Sequence, residues 1–448
     1  MEGAASILNE DRGESASATA PAQQFPADLP PAYSAVDPRI LTPNQGNDSI
    51  TVGSVMTIPA SASDTQVFHS ALSVDVDRPK EMRAVKGFDF SRPIVLSTNN
   101  LYRSSLIVEP DTYKNNNDTI IVIAEIKSAK VNVADKCKIT CQVNQQGAYE
   151  FSVNSSWSMW SFAYIECRFV VRVPPSAKIS HPGIQAELAN GRVDMGHLSN
   201  ISFDHIAIKT TNAAMSLSDV RGGVAQLSTT NADICIKRTV IQNALDAKTS
   251  NSSIHLIELQ SRRVGIKTSN SLVNLQSVSG QAVQVETSNA KITCDQVDAA
   301  EVNLTTSNNS IKSSNVSSDI LRIVTSNAKV EGVWVVKHGL DIKTSNSGID
   351  GLVLLKDSVA RANIRLVTTN SQIKVRLPAA EFRGTFDAKT SNSSVNVLWK
   401  NNLGLAQPNV NYIVDEKPYK RGIVGGPQEM RHEFSAQTSN SGIEVDFV

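Results

Sequence analysis

From about residue 180 onward, apolar and polar positions alternate, run into an asparagine, and resume. Aligned on that asparagine, the chain gives Asn190, Asn212, Asn231, Asn251, Asn270, Asn289, Asn308, Asn327, Asn346, Asn370, Asn392 and Asn440. From Asn251 to Asn346 the spacing is a constant 19 residues. Four residues before it stands Ala, Ile, Leu or Val in every repeat. Two before it stands Thr, with Leu188 as the exception; three after it stands Ile or Val, with Met215 as the exception. A period of two running into a turn, with an aliphatic residue inward again beyond it, reads as strand, tight turn, strand.

A unit of this length is too short for a βαβ crossover or a propeller blade. It fits one coil of a single-chain parallel β-solenoid, an all-β fold. A lone coil cannot bury its inner face; a second coil stacked about 4.8 Å away buries it and completes the hydrogen-bond ladder. The asparagines Asn231, Asn251, Asn270, Asn289, Asn308, Asn327 and Asn346 are expected to form a structural turn ladder. Asn tolerates the φ > 0 conformation that a turn inside a coil requires. Stacked amides also come within hydrogen-bonding reach of one another. The threonines are expected to point inward and form a hydroxyl ladder. The residue three before the asparagine, for example Lys248, Lys267 and Glu286, is expected to face solvent.

The pattern divides the chain into four parts. Residues 1–45 hold six prolines and read as a disordered Pro-rich tail. Residues 46–180 read as a β-rich cap and solenoid entry. Within them Ile165–Val173 alternates as a half-buried strand that Pro174 and Pro175 end, and residues 119–126 read as a more buried one. Residues 181–400 are the solenoid repeats, and residues 401–448 an insertion and a closing coil. The aromatic cluster at Trp157, Trp160, Phe162 and Tyr164 reads as a hydrophobic plug over the first coil.

The repeated T-S-N-x-x-I coils resemble a microbial β-solenoid domain family of unknown function labelled "putative adhesin". The likeness extends to the entry, from Val171 to Ala177 and from Ala186 to Val193. It extends also to the exit, where residues 373–378 precede residues 386–392, and a last coil runs from Ala436 to Ile443. It covers roughly residues 65–448. The resemblance implies adhesion and no established catalytic residues.

Composition narrows the chemistry. Lys plus Arg and Asp plus Glu both number 43 in 448 residues, so long-range attraction to nucleic acid is not the chain's main business. No apolar run is long enough to span a membrane, and residues 1–15 lack the features of a secretory signal, which gives an expectation of a cytoplasmic protein. Five scattered cysteines argue against a disulfide framework. Acidic residues are dispersed, histidines stand singly, and no P-loop or nucleophile elbow occurs, so neither catalysis nor a cofactor is expected. Cys137 and Cys141 read as strand-edge thiols before zinc ligands.

The remaining motif is Pro30-Pro31-Ala32-Tyr33, a P-P-x-Y ligand of the kind WW domains bind in an aromatic groove. The sequence therefore points to a non-enzymatic binding or scaffold protein. It has a WW-domain partner for the tail and a protein or glycan ligand for the solenoid face. A surface adhesin exported unconventionally is the first alternative. A carbohydrate-active β-helix enzyme is the second, and an ice binder the third.

Overall fold

The computed structural model describes residues 73–78, 81–99, 101–112, 119–128, 133–156, 164–174, 179–399, 410–426 and 429–448. The chain divides into residues 1–52 and residues 53–448, and all described residues belong to the second unit. They form a parallel β-solenoid with one short helical turn, Val133–Lys136. The repeats stack in register: Ile254 pairs with Val273, that with Ile292, then Ile311, Val330 and Ile349.

The coil that contains Ile254–Lys267 shows how the sequence makes the bends. Ile254, Leu256, Leu259, Ser261, Val264, Ile266 and Thr268 are buried. Alternation holds until two consecutive residues face outward, at Ile257-Glu258 and again at Arg262-Arg263. Each such slip of phase is a corner, because a straight strand would send every later side chain to the wrong face. The Thr-Ser-Asn turn makes the third corner.

The asparagine does not supply the left-handed conformation. Among the ladder residues only Asn190 has positive φ. Positive φ falls instead seven residues later, at His197, Asp219, Arg238, Glu258, Ser277 and Gln296, with φ of 47–59°. The bend there uses this region, whereas the Thr-Ser-Asn corner is held by main-chain bonds from coil to coil, as Asn270 N–H to Ser250 O at 3.1 Å, together with the asparagine side chains. The series stops after Gln296, and Trp334, two coils on, stacks on Val316 in the buried column and is fully buried. Its indole donates to Ser313 Oγ at 2.8 Å. Gly351 makes room for the ring, which a Cβ there would strike, and Gly332 makes room for Ser313.

The β-rich N-terminal region supplies further coils to the same stack. Ile94–Asn99 lies parallel between Ile184–Leu188 and Tyr149–Ser155. Arg103–Pro110 lies parallel between Asn190–Gly196 and Ile165–Val173. The layer order therefore departs from chain order, because the earlier coil is clasped between two later ones. The C-terminal end repeats the device. His432–Gln437 lies between Asn363–Val367 and Gly384–Lys389, and Ile443–Phe447 lies between Ile373–Leu377 and Val395–Trp399. The last coil of the sequence is thus the penultimate layer, and the coil of Asn392 lies beyond it.

At each end parallel stacking gives way to antiparallel strands, which satisfy edges that would otherwise stay unpaired. Cys137–Val143 covers Tyr149–Ser155, while Ile120–Ser128 covers Ile165–Val173 and is followed by Glu81–Phe88 and Ser73–Arg78. Tyr419–Val424 covers Gly384–Lys389 and carries Val410–Asp415. The core follows the same division. It is mainly aliphatic between the ends, Trp334 apart, whereas Phe88, Tyr149, Phe151 and Phe169 fill one end and Phe382, Phe386, Phe434 and Phe447 the other. Large aromatic side chains bury the area that a missing next coil would have covered. Of the aromatic cluster, residues 157–163 lie outside the described residues. Tyr164 is exposed and meets Tyr102 edge to face at 4.7 Å.

Candidate functional surface

The exposed ridge of the Thr-Ser-Asn turns is continuous. Each asparagine Nδ2 donates to the Oδ1 of its neighbour in the next layer, as Asn270 to Asn251 at 2.8 Å and Asn308 to Asn289 at 2.7 Å. Asn212 begins the run on Asn190, and Asn231, Asn251, Asn289, Asn327, Asn346 and Asn370 continue it. It ends with Asn440 on Asn370 and Asn392 on Asn440, each bond 2.6–2.7 Å, in the clasped order. Every amide between the two ends of the run both gives and accepts, so removing one leaves two neighbours short of a partner.

Beneath the ridge the threonines are buried. They do not bond to one another. Most of their hydroxyls donate to main-chain carbonyls of the adjacent turn, as Thr306 to Ala290 O at 3.1 Å, Thr368 to Ser347 O at 3.0 Å and Thr390 to Ser441 O at 2.8 Å, whereas those of Thr210, Thr268 and Thr344 have no partner. A carbonyl at a bend has a lone pair to spare once the ladder is made, and it lies nearer than the next hydroxyl.

The outer rows carry the ionic chemistry. Three residues before the asparagine, Lys209 bonds Glu187 at 2.7 Å and Lys267 pairs with Glu286 at 3.4 Å. Beside this row Gln185, Gln226, Asp246 and Lys248 help line a groove of about 340 Å³ across four coils. The positive-φ corner forms a second row. Arg238 grips Asp219 with two bonds of 2.7 and 2.8 Å, and His197 lies 3.7 Å from the same carboxylate. The Arg238 hydrogen bonds hold the Asp219 carboxyl below its ordinary value. Farther along, Ser277 donates to Gln296 at 2.9 Å. Sequence reading missed this row because its members share no residue type. The only signal is their constant offset of seven from the asparagine.

The thiols are quiet. All five cysteines are free. Burial pushes Cys137 and Cys141 up to about 11, so both stay protonated at neutral pH, and thiols of that kind are poor nucleophiles and poor metal ligands. Among the described residues no group of three or more His, Cys, Asp or Glu is placed to hold a metal ion. No helix among them is long and apolar enough to cross a membrane. Pro30, Pro31 and Tyr33 lie outside the described residues.

No family model matches the chain, and no curated protein matches it. The solved structures that show a likeness include two adhesion-related ones. One is a "putative cell adhesion protein" from Clostridium sporogenes, 9% identical, covering 83% of this chain and 100% of its own, with a TM-score of 0.16. The other is a "putative adhesin" from Bacteroides fragilis, 9% identical, covering 82% of this chain and 98% of its own, with a TM-score of 0.23. At these values neither likeness bears on function.

Proposed function

We propose that the chain is a non-enzymatic scaffold whose solenoid presents long polar rows to a protein or glycan ligand. Its P-P-x-Y motif recruits a WW-domain protein. The observation that carries this reading is the unbroken amide ridge from Asn190 to Asn392, flanked by rows of outward polar and charged side chains in fixed register. Such a surface is rigid in advance of binding, so little conformational entropy is lost when a repetitive ligand lies along it. A chemically poised group of the kind catalysis needs is not part of this reading.

The tail adds a separable contact. A P-P-x-Y peptide presents Pro30 and Pro31 to an aromatic groove and Tyr33 to an adjacent pocket. Its small contact area implies micromolar affinity or weaker, near −8 kcal/mol or less favourable by the relation of about −8.2 kcal/mol to 1 μM. The test is a WW-domain array and a glycan array probed with the full chain and with Tyr33→Ala. Loss of WW binding in the variant, with thermal stability and any glycan signal unchanged, is the expected result. Equal WW binding by both proteins removes the motif from the function. Fractionation of the endogenous protein separates an interior scaffold from a surface adhesin, and polysaccharide turnover abolished by one Asp or Glu substitution would replace both readings with an enzyme.

A further inference from the structure

Two histidines among the described residues are fully buried, and they occupy matching places at the two clasped ends. His181 ends Ile179–His181, which lies parallel on Ile201–Thr210, just before the coil that covers Ile94–Asn99. Its ring stands edge-on to Phe90 at 6.0 Å and to Phe203 at 5.8 Å. His432 opens the intercalated strand His432–Gln437, with Phe382 at 5.6 Å.

The hydrogen bonds fix the protonation of both rings. Gly183 N–H donates to Nδ1 of His181 at 3.1 Å, and Ala362 N–H donates to Nδ1 of His432 at 3.4 Å. Each Nδ1 is therefore an acceptor without a proton, and each Nε2 carries the hydrogen. Neither Nε2 has a hydrogen-bond partner. A second proton would set an Nδ1–H against a main-chain N–H, donor against donor, at a site shut off from water.

We propose that His181 and His432 are acid-sensitive latches: protonating either ring opens its own end of the stack while the central coils stay closed. The groups that face the rings do not reverse this. Asp204 and Asp89 face His181 and favour its charged form, but burial of the ring outweighs both. At His432 the backbone of Ser358 and Glu381 favours a charged ring, but burial outweighs it and the Arg431 guanidinium adds to the opposition, while neighbouring Glu433 is taken up by Arg361. Burial is the largest influence on both rings, pushing His181 down to about 4 and His432 below the ordinary imidazole range.

The sign follows from proton counting. Between about pH 6.5 and the lowered folded value, the opened end binds a proton that the closed end does not. Closure is complete above that window and weakens as pH falls through it, by roughly tenfold in the opening equilibrium per pH unit.

Hydrogen exchange of the full chain, corrected for the pH dependence of intrinsic exchange, tests this from pH 7 to 4.5. The expected result is opening of residues 94–99 and 432–437 that grows about tenfold per unit below pH 6.5, with residues 254–343 protected throughout. His181→Phe keeps an aromatic ring and removes the titration, so it should flatten the slope at residues 94–99 alone. His432→Phe should do the same at residues 432–437. Slopes unchanged by the substitutions, or central coils opening in parallel, would overturn the proposal. If a variant does not fold, the titration of each histidine ring in the wild-type chain decides. A ring that protonates near pH 6.5 while its end strand stays protected would refute the latch at that end.

Discussion

Ile292 and Lys267 show how far the burial of a single position is readable from its distance to the nearest asparagine. Ile292 stands three after Asn289 and is wholly buried; Lys267 stands three before Asn270 and is exposed. Ile292→Ala should cost about 2–5 kcal/mol, since the cavity it leaves lies between neighbours that cannot collapse onto it. Lys267→Ala should change stability by less than about 0.5 kcal/mol, because its pair with Glu286 is solvated. Denaturant titration of the two variants checks both, and similar losses would mean that the faces are assigned wrongly. Trp334 is a second handle. Gly351→Ala would drive a methyl into its ring, so a loss of about 1–3 kcal/mol and a changed tryptophan emission are expected.

At the scale of the coil, the strands and the Thr-Ser-Asn corner were legible because apolar and hydroxyl side chains recur in fixed columns. The second corner was not. Of His197, Asp219, Arg238, Glu258, Ser277 and Gln296 only the first two are of types that visit positive φ more readily than most, and none announces a bend. Stacking forces them into it: the register of the strands on either side leaves no other path. Stored strain of this kind is testable. Glu258→Gly should be neutral or stabilising by up to about 1 kcal/mol by thermal melting, since glycine takes that conformation at no steric cost. A clear loss would show that the Glu258 side chain contributes more than the strain it bears. The threonine column was legible as buried but not in its bonding, because sequence shows that a hydroxyl is inside and not which acceptor lies nearest.

For the whole molecule, the solenoid class follows from the repeat, while the order of its layers does not. Parallel pairing depends on what a strand presents along its edge, and not on when that strand occurs in the chain. Leu96 and Thr98 carry the column signature at minus four and minus two relative to Asn100, so a coil in the N-terminal region was present in the sequence. Nothing in those residues says that the coil lies between two later ones. Clasping both ends has a physical consequence. The outermost parallel coils cannot peel away one at a time from a free chain end, because the strand beneath each belongs to a distant part of the chain. Non-local closure of this kind slows folding and resists fraying. The same ends hold the aromatic plugs and the two buried histidines, so the molecule's stability is set there as much as in its regular middle.

The C-terminal layer order is open to direct measurement by paired cysteines on the outer face. Arg365 is in register with Ser435, and Ser435 with Asp387. Adjacent parallel strands place such residues about 4.8 Å apart, within disulfide range, whereas residues two layers apart lie at about twice that distance and outside it. Three double variants are compared under oxidising conditions, with the bridges mapped by mass spectrometry. R365C with S435C and S435C with D387C should both cross-link, and R365C with D387C should not. Efficient cross-linking of R365C with D387C, without the two pairs that include S435C, would mean that the coils stack in chain order and that the clasped end does not exist.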